Sequence, residues 1–156
     1  MSVTNEILID EMSPSEAADL LQREPTARMV DVRNEAEWTF VGVPDLSAYG
    51  RALWRVELFS FPANVPNQAF LDDISAHLEA DGRETADLLF ICRSGMRSMT
   101  AARAVAAEAA AGRLPAGVSL KRVINVREGF EGDLDGRGHR GTVGGWKVNG
   151  LPWRQS

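Results

Sequence analysis

Leu88-Leu89-Phe90-Ile91 is an uninterrupted apolar run bounded by Asp87 and Cys92. A strand with one wet face alternates apolar and polar residues. A short strand that is apolar at every position needs cover on both faces, which parallel sheets provide. Met29-Val30-Asp31-Val32 and Val123-Ile124-Asn125-Val126 read the same way, the latter as the final strand. Glu6-Ile7-Leu8-Ile9 and the stretch from Leu53 to Phe61 are two further strand candidates.

Helical patterns lie between these runs. Ser13-Pro14-Ser15-Glu16 places a serine N-cap, a proline at the first helical position and a glutamate that completes a capping box. The helix then runs through Ala17, Leu20 and Leu21. Asn34 to Trp38 fits a helical turn, and Val41-Gly42-Val43-Pro44-Asp45 reads as loop. Pro66-Asn67 opens a pattern that puts Phe70, Leu71, Ile74 and Leu78 on one face and stops at Gly82. Ser98 to Ala111 is built of strong helix formers, with Gly112 as the stop. From Gly129 onward the chain is glycine-rich and has little periodicity. Strands alternating with helices predict an α/β fold with a mostly parallel sheet, whose ligands sit beyond the carboxyl ends of the strands.

At 156 residues the chain fits one domain, 1–156. Its formal net charge of −5 argues against a general nucleic-acid binder, which needs a basic footprint. An anionic small substrate stays compatible, because a site can be locally positive on an acidic protein. One cysteine forms no internal disulfide, and with only two histidines no metal-ligand spacing exists. No cofactor or metal is expected. The first twelve residues carry Glu6, Asp10 and Glu11 and lack a secretory pattern, and no apolar run reaches the ~18 residues of a membrane span. The expected location is the cytoplasm, with no membrane partner.

Cys92 stands where the buried run ends, and Arg93-Ser94-Gly95-Met96-Arg97 leads to a helix start at Ser98. Amides of a tight loop entering a helix are short of acceptors, and with the helix dipole they favour an anion. Cysteines in such surroundings titrate at about 3.5–7.5 against roughly 8.5 for a free thiol. Arg93 and Arg97 add positive charge, and Gly95 lets the backbone turn where a side chain would clash. A packing cysteine needs no such loop. Cys92 is therefore the candidate nucleophile, activated without an adjacent histidine. Arg93, Ser94, Gly95, Met96, Arg97 and Ser98 are the candidate substrate-binding residues.

Cys92-Arg93-Ser94-Gly95-Met96-Arg97-Ser98 resembles the active-site loop of the rhodanese-like sulfurtransferases, close to C-R-x-G-x-R-S. Asp31-Val32-Arg33 with Glu37, Gly42-Val43-Pro44, and Trp146 with Gly150-Leu151-Pro152 resemble further landmarks of that family, in the same order. The resemblance implies a central, mostly parallel sheet of about five strands with helices on both sides. It also implies a persulfide on Cys92 cradled mainly by loop amides, with Asp31 and Arg33 in structural ion pairing. Two features depart from the pattern. Val43 replaces the family's histidine, and a glycine-rich insertion around 131–145 separates Gly129-Phe130 from the C-terminal segment, as a flap over the site.

The implied reaction is transfer of sulfane sulfur from thiosulfate or a similar small anionic donor to cyanide or an external thiol, carried by a small molecule or a protein. Arg97 either orients the donor or holds the loop. Ser98 caps the helix in preference to donating to sulfur, and Met96 shapes the pocket wall or faces solvent. A cysteine phosphatase or arsenate reductase is the alternative enzyme, but those use C-x5-R, and the four residues between Cys92 and Arg97 make a cradle tight for phosphate. A non-enzymatic binding module is the third reading. Gly136, Gly138 and Gly141 fit G-x-G-x-x-G without the strand before and the helix after that dinucleotide binding needs. His139 and Arg140 read as a solvated loop, His77 as a surface or partly buried residue, and Trp38, Trp54, Trp146 and Trp153 as packing.

Overall fold

The computed structural model describes residues 8–82 and 85–155. Among these residues lie nine strands and four α-helices, in the order β1 Ile9–Met12, α1 Pro14–Arg23, β2 Ala27–Asp31, α2 Glu35–Phe40, β3 Val43–Pro44, β4 Leu53–Arg55, β5 Phe59–Ser60, β6 Val65–Pro66, α3 Phe70–Asp81, β7 Thr85–Ile91, α4 Met96–Ala110, β8 Ser119–Val126 and β9 Trp153–Arg154. Five strands form one sheet in the order β1-β8-β7-β2-β4, and every neighbouring pair is parallel. The fold is the α/β architecture the alternating pattern predicts.

Strand β7 is the centre of the sheet, and Leu88, Leu89, Phe90 and Ile91 are fully buried. Its side chains serve two cores. Leu88 and Phe90 join Val30, Val123, Ile74 and Leu78 of α3, and Ala101, Ala102 and Val105 of α4. Leu89 and Ile91 join Ile124, Val126 and, from α1, Ala17, Leu20 and Leu21. Burying one such side chain contributes roughly 1.5–3 kcal/mol, so this strand anchors whatever follows it. Alanines at the contact face of α4 let that helix lie close on β7 and β8.

Several boundaries differ from the sequence reading. The first strand is Ile9–Met12, not Glu6–Ile9, and Glu6 and Ile7 lie outside the described residues. It is an edge strand whose Asp10 and Glu11 are exposed, which a search for apolar runs passes over. The 53–61 stretch is broken: β4 joins the main sheet, whereas β5 pairs with β6 in a separate hairpin. Pro66 therefore ends a strand, and α3 begins only at Phe70. The 41–45 loop contains β3, which pairs antiparallel with β9, so β8 is not the final strand. The helix after the cysteine loop begins at Met96, two residues before Ser98.

Candidate functional site

Cys92 directly follows β7 and is 1% exposed. Two groups meet its sulfur. The Gly95 amide donates to Sγ at 3.1 Å, and Ser98 Oγ lies 3.2 Å away. Gly95 is the N-cap of α4 with φ of 107°, so a left-handed residue aims this amide back at the sulfur. The sulfur is thus not walled off in hydrocarbon. It forms part of a cleft of about 750 Å³ whose lining also includes Glu37, Arg93, Ser94, Met96 and Arg97.

Ser98 is not the helix cap. It is the third residue of α4, fully buried, and donates to Asn125 Oδ1 at 2.6 Å. Asn125 Nδ2 in turn donates to Gly95 O at 3.2 Å and to Glu11 Oε1 at 3.4 Å, which fixes the orientation of the amide. With its proton given to Asn125, the serine oxygen faces Cys92 as an acceptor for S–H. To support an ionised sulfur, Ser98 must turn that hydrogen toward Sγ. Asn125 is the site residue that the apolar-run reading missed. Its signal was a lone amide within Val123-Ile124-Asn125-Val126, at the register position opposite Phe90.

The two arginines of the loop do different things. Arg97 forms a fork-on-fork pair with Glu37, with Nη1 to Oε1 at 2.6 Å and Nη2 to Oε2 at 2.8 Å. Glu37 also closes the capping box of α2 with Asn34, so one carboxylate ties that helix to the cysteine loop. Burial pushes Glu37's pKa up, but Arg97's hydrogen bonds and charge outweigh it and leave the carboxyl below its ordinary 4.5. Hydrogen bonding to Glu37 likewise lifts Arg97, with the field of Cys92 adding to it. Arg93, by contrast, is exposed, and its side chain makes no hydrogen bond or ion pair among the described residues. Met96 lines the cleft and is 81% exposed, so it is both wall and surface.

Behind the loop, Arg33 and Asp31 form a fully buried pair, Nη2 to Oδ2 at 2.7 Å, and Arg33 also donates to Gly42 O. Gly129 packs against the cysteine loop from the other side. A Cβ there would lie 2.5 Å from Cys92 O, and its φ is +63°. Only glycine fits that close approach. The following amides are stitched to the loop: Phe130 N donates to Cys92 O, and Glu131 N and Gly132 N both donate to Arg93 O.

Residues 131–145 contain no helix or strand. Asp135 organises them by accepting from Arg137 N and His139 N at Oδ1 and from Thr142 Oγ1 at Oδ2. The bond from His139 N, then those from Thr142 and Arg137, hold its carboxyl below the usual 3.8. Gly136, Gly138 and Gly141 lie in this stretch of turns and bends. Glu131, Leu134, Gly138 and Arg140 line the cleft, so Arg140 faces the site and is not merely a solvated loop residue, whereas His139 is exposed. Of the tryptophans, Trp54 and Trp146 are core, and Trp54 stacks on His77 at 4.9 Å. Trp153 is 41% exposed, with Lys147 Nζ 4.0 Å from its ring centroid.

Residues 13–134 match the Rhodanese-like domain family. The chain belongs to that family. All seven residues of the loop fall inside the matched segment, whereas Arg140 and Trp146 lie beyond it. The crystal structure of Rv0390 from M. tuberculosis is 43% identical, with a TM-score of 0.74, covering 94% of this chain and 98% of that one. Among curated proteins, uncharacterized protein RP600 of Rickettsia prowazekii (strain Madrid E) is 29% identical over 148 residues, 95% of this chain and 99% of the relative. Its homolog in Rickettsia rickettsii is 28% identical over 149 residues, covering 94% and 98%. A rhodanese-like domain is of sulfurtransferase type. Within it, the described residues hold no cluster of three or more histidine, cysteine or acidic side chains placed to grip a metal, and no helix is long and apolar enough to cross a membrane.

Proposed function

We propose that this chain is a sulfurtransferase that carries sulfane sulfur on Cys92, taking it from thiosulfate or a similar small anion and passing it to cyanide or an external thiol. The observation that carries this reading is Cys92 lining the cleft, with the Gly95 amide donating to its Sγ and the Ser98 oxygen 3.2 Å from it. In the first step the ionised Cys92 sulfur attacks the outer sulfur of thiosulfate. The S–S bond of the donor breaks, and its electron pair leaves with sulfite. The new persulfide takes up the Gly95 amide and the Ser98 hydroxyl. In the second step the acceptor attacks the outer sulfur and Cys92 departs as thiolate, which gives ping-pong kinetics.

The Arg93 side chain has no partner among the described residues and is the guanidinium placed to meet the donor's sulfonate end. Arg97, clamped by Glu37, holds the loop in shape. The chain has no second cysteine, so the sulfur leaves to another molecule.

Cys92→Ser is expected to lower thiosulfate-dependent sulfur transfer by at least about three orders of magnitude, as loss of a covalent nucleophile does. The thermal unfolding midpoint should stay close to that of the parent. Intact mass after thiosulfate treatment should show one added sulfur on the parent and none on the variant. Undiminished transfer by Cys92→Ser overturns the reading.

A further inference from the structure

The cleft holds more than a small donor needs. Its volume of about 750 Å³ sits in the ~300–1,000 Å³ range of sites that enclose sizeable ligands. Its lining also gathers large apolar side chains that are exposed. Fifteen residues line it, under a tenth of the chain, yet they supply three of the nine large hydrophobic side chains exposed among the described residues. These are Phe61 at 58%, Met96 at 81% and Leu134 at 54% exposure. They come from three separate segments: the turn after β5, the start of α4 and the 131–145 loop. Single exposed hydrophobics are ordinary, but convergence on one concave surface marks a place where something docks.

The charges at the same surface favour one kind of occupant. Arg97 and Glu37 neutralise each other. That leaves Arg93, which makes no ion pair, and Arg140, whose guanidinium donates through Nη1 to Gly132 O, against one carboxylate, Glu131. Glu131 also acts on Lys147. The cleft is net positive on a chain of net charge −5.

The chemistry supplies a further restriction. The chain's one cysteine is 1% exposed, so a second copy of this chain has no protruding thiol with which to take the sulfur. We propose that the cleft receives an extended polypeptide segment of a different protein, bearing a cysteine flanked by apolar and acidic residues, as the sulfur acceptor. This rests on the sulfurtransferase reading above. The segment's thiolate attacks the outer sulfur of the Cys92 persulfide, a new S–S bond forms on the acceptor, and the old bond breaks with its electron pair on Cys92. The acceptor leaves as a persulfide. Apolar flanking residues contact Phe61 and Leu134, and acidic ones meet Arg140.

The test uses the full chain loaded with thiosulfate and checked by intact mass for one added sulfur. Three short peptides, each with one central cysteine, compete as acceptors: apolar–acidic flanks, apolar–basic flanks and glycine–serine flanks. Single-turnover transfer to the apolar–acidic peptide should exceed that to the glycine–serine peptide by about tenfold, the scale of a good apolar anchor. The basic peptide should fall between them or below. Phe61→Ser with Leu134→Ser should remove the preference while transfer to cyanide stays within about twofold, since both side chains are exposed and neither is one of the groups meeting the sulfur. Arg140→Gln should close the gap between acidic and basic peptides.

Failure to load sulfur overturns the sulfurtransferase reading and this inference with it. Loading followed by equal rates for all three peptides overturns the inference alone. So does a double variant that slows cyanide and peptide alike. So does a concentration-dependent dimer that the double variant dissolves, because a second copy then occupies the face.

Discussion

The floor of the cleft, residues 92–98, rises from a strand whose last four side chains are fully buried and continues into a fifteen-residue helix. Its facing wall, residues 131–145, has neither helix nor strand and is gathered around one half-buried residue's carboxylate, that of Asp135. The floor inherits its shape from two hydrophobic cores. The wall inherits its shape from turn chemistry and from its seam with the floor. A nucleophile gains from the first kind of construction, because a displaced donor amide loses its hold on charge. A surface that admits varied partners gains from the second.

The sharpest way to break this contrast is Gly129→Ala, which attacks the seam. A Cβ at 2.5 Å from Cys92 O and 2.6 Å from Arg93 O, on a residue with φ of +63°, forces the cysteine loop itself to move. A loss of about 2 kcal/mol or more in urea unfolding is expected, together with near-complete loss of transfer. Retained activity in that variant would show that the floor tolerates displacement.

Glu37→Gln tests the floor's charge clamp. Removing the carboxylate leaves Arg97 half-buried without its partner, which costs about 1–3 kcal/mol. Transfer should fall by about tenfold at saturating thiosulfate, a loss in kcat. The pH dependence has a definite sign. Glu37's folded pKa lies below 4.5, so the pair's stabilisation is fully present above that value and is lost as pH falls through the folded one. The stability gap between parent and variant should therefore hold steady above about pH 4.5 and narrow below it. A gap that widens on acidification would refute the assignment.

Asp135→Ala concerns the wall only and should have the mildest effect. The unfolding midpoint should barely change, while KM for the acceptor rises about two- to fivefold with kcat retained. Limited proteolysis should cut first within 133–142 in the variant. Were kcat to collapse instead, wall and floor would not be separable parts.

The same contrast explains what could be read from residues alone. Strands β2, β7 and β8 announce themselves because central parallel strands must be apolar on both faces, and Cys92 follows from its place after one of them. Strand β1 is displaced by three residues from its expected start because an edge strand tolerates Asp10 and Glu11. Ser98 looks like a cap by residue type, but Gly95 starts the helix through a left-handed backbone, and the serine oxygen instead sits between Asn125 and the sulfur. Arg97's two possible roles could not be weighed without Glu37, sixty residues earlier. The wall's fold depends on hydrogen bonds to one aspartate among glycines, a pattern that hydrophobic periodicity does not register.

The amides of residues 130–132 end on the carbonyls of Cys92 and Arg93. On that side the wall has no hinge of its own. A visitor that levers it outward pulls on the two peptide units that follow Cys92, so admission of a guest is geared mechanically to the attitude of the sulfur.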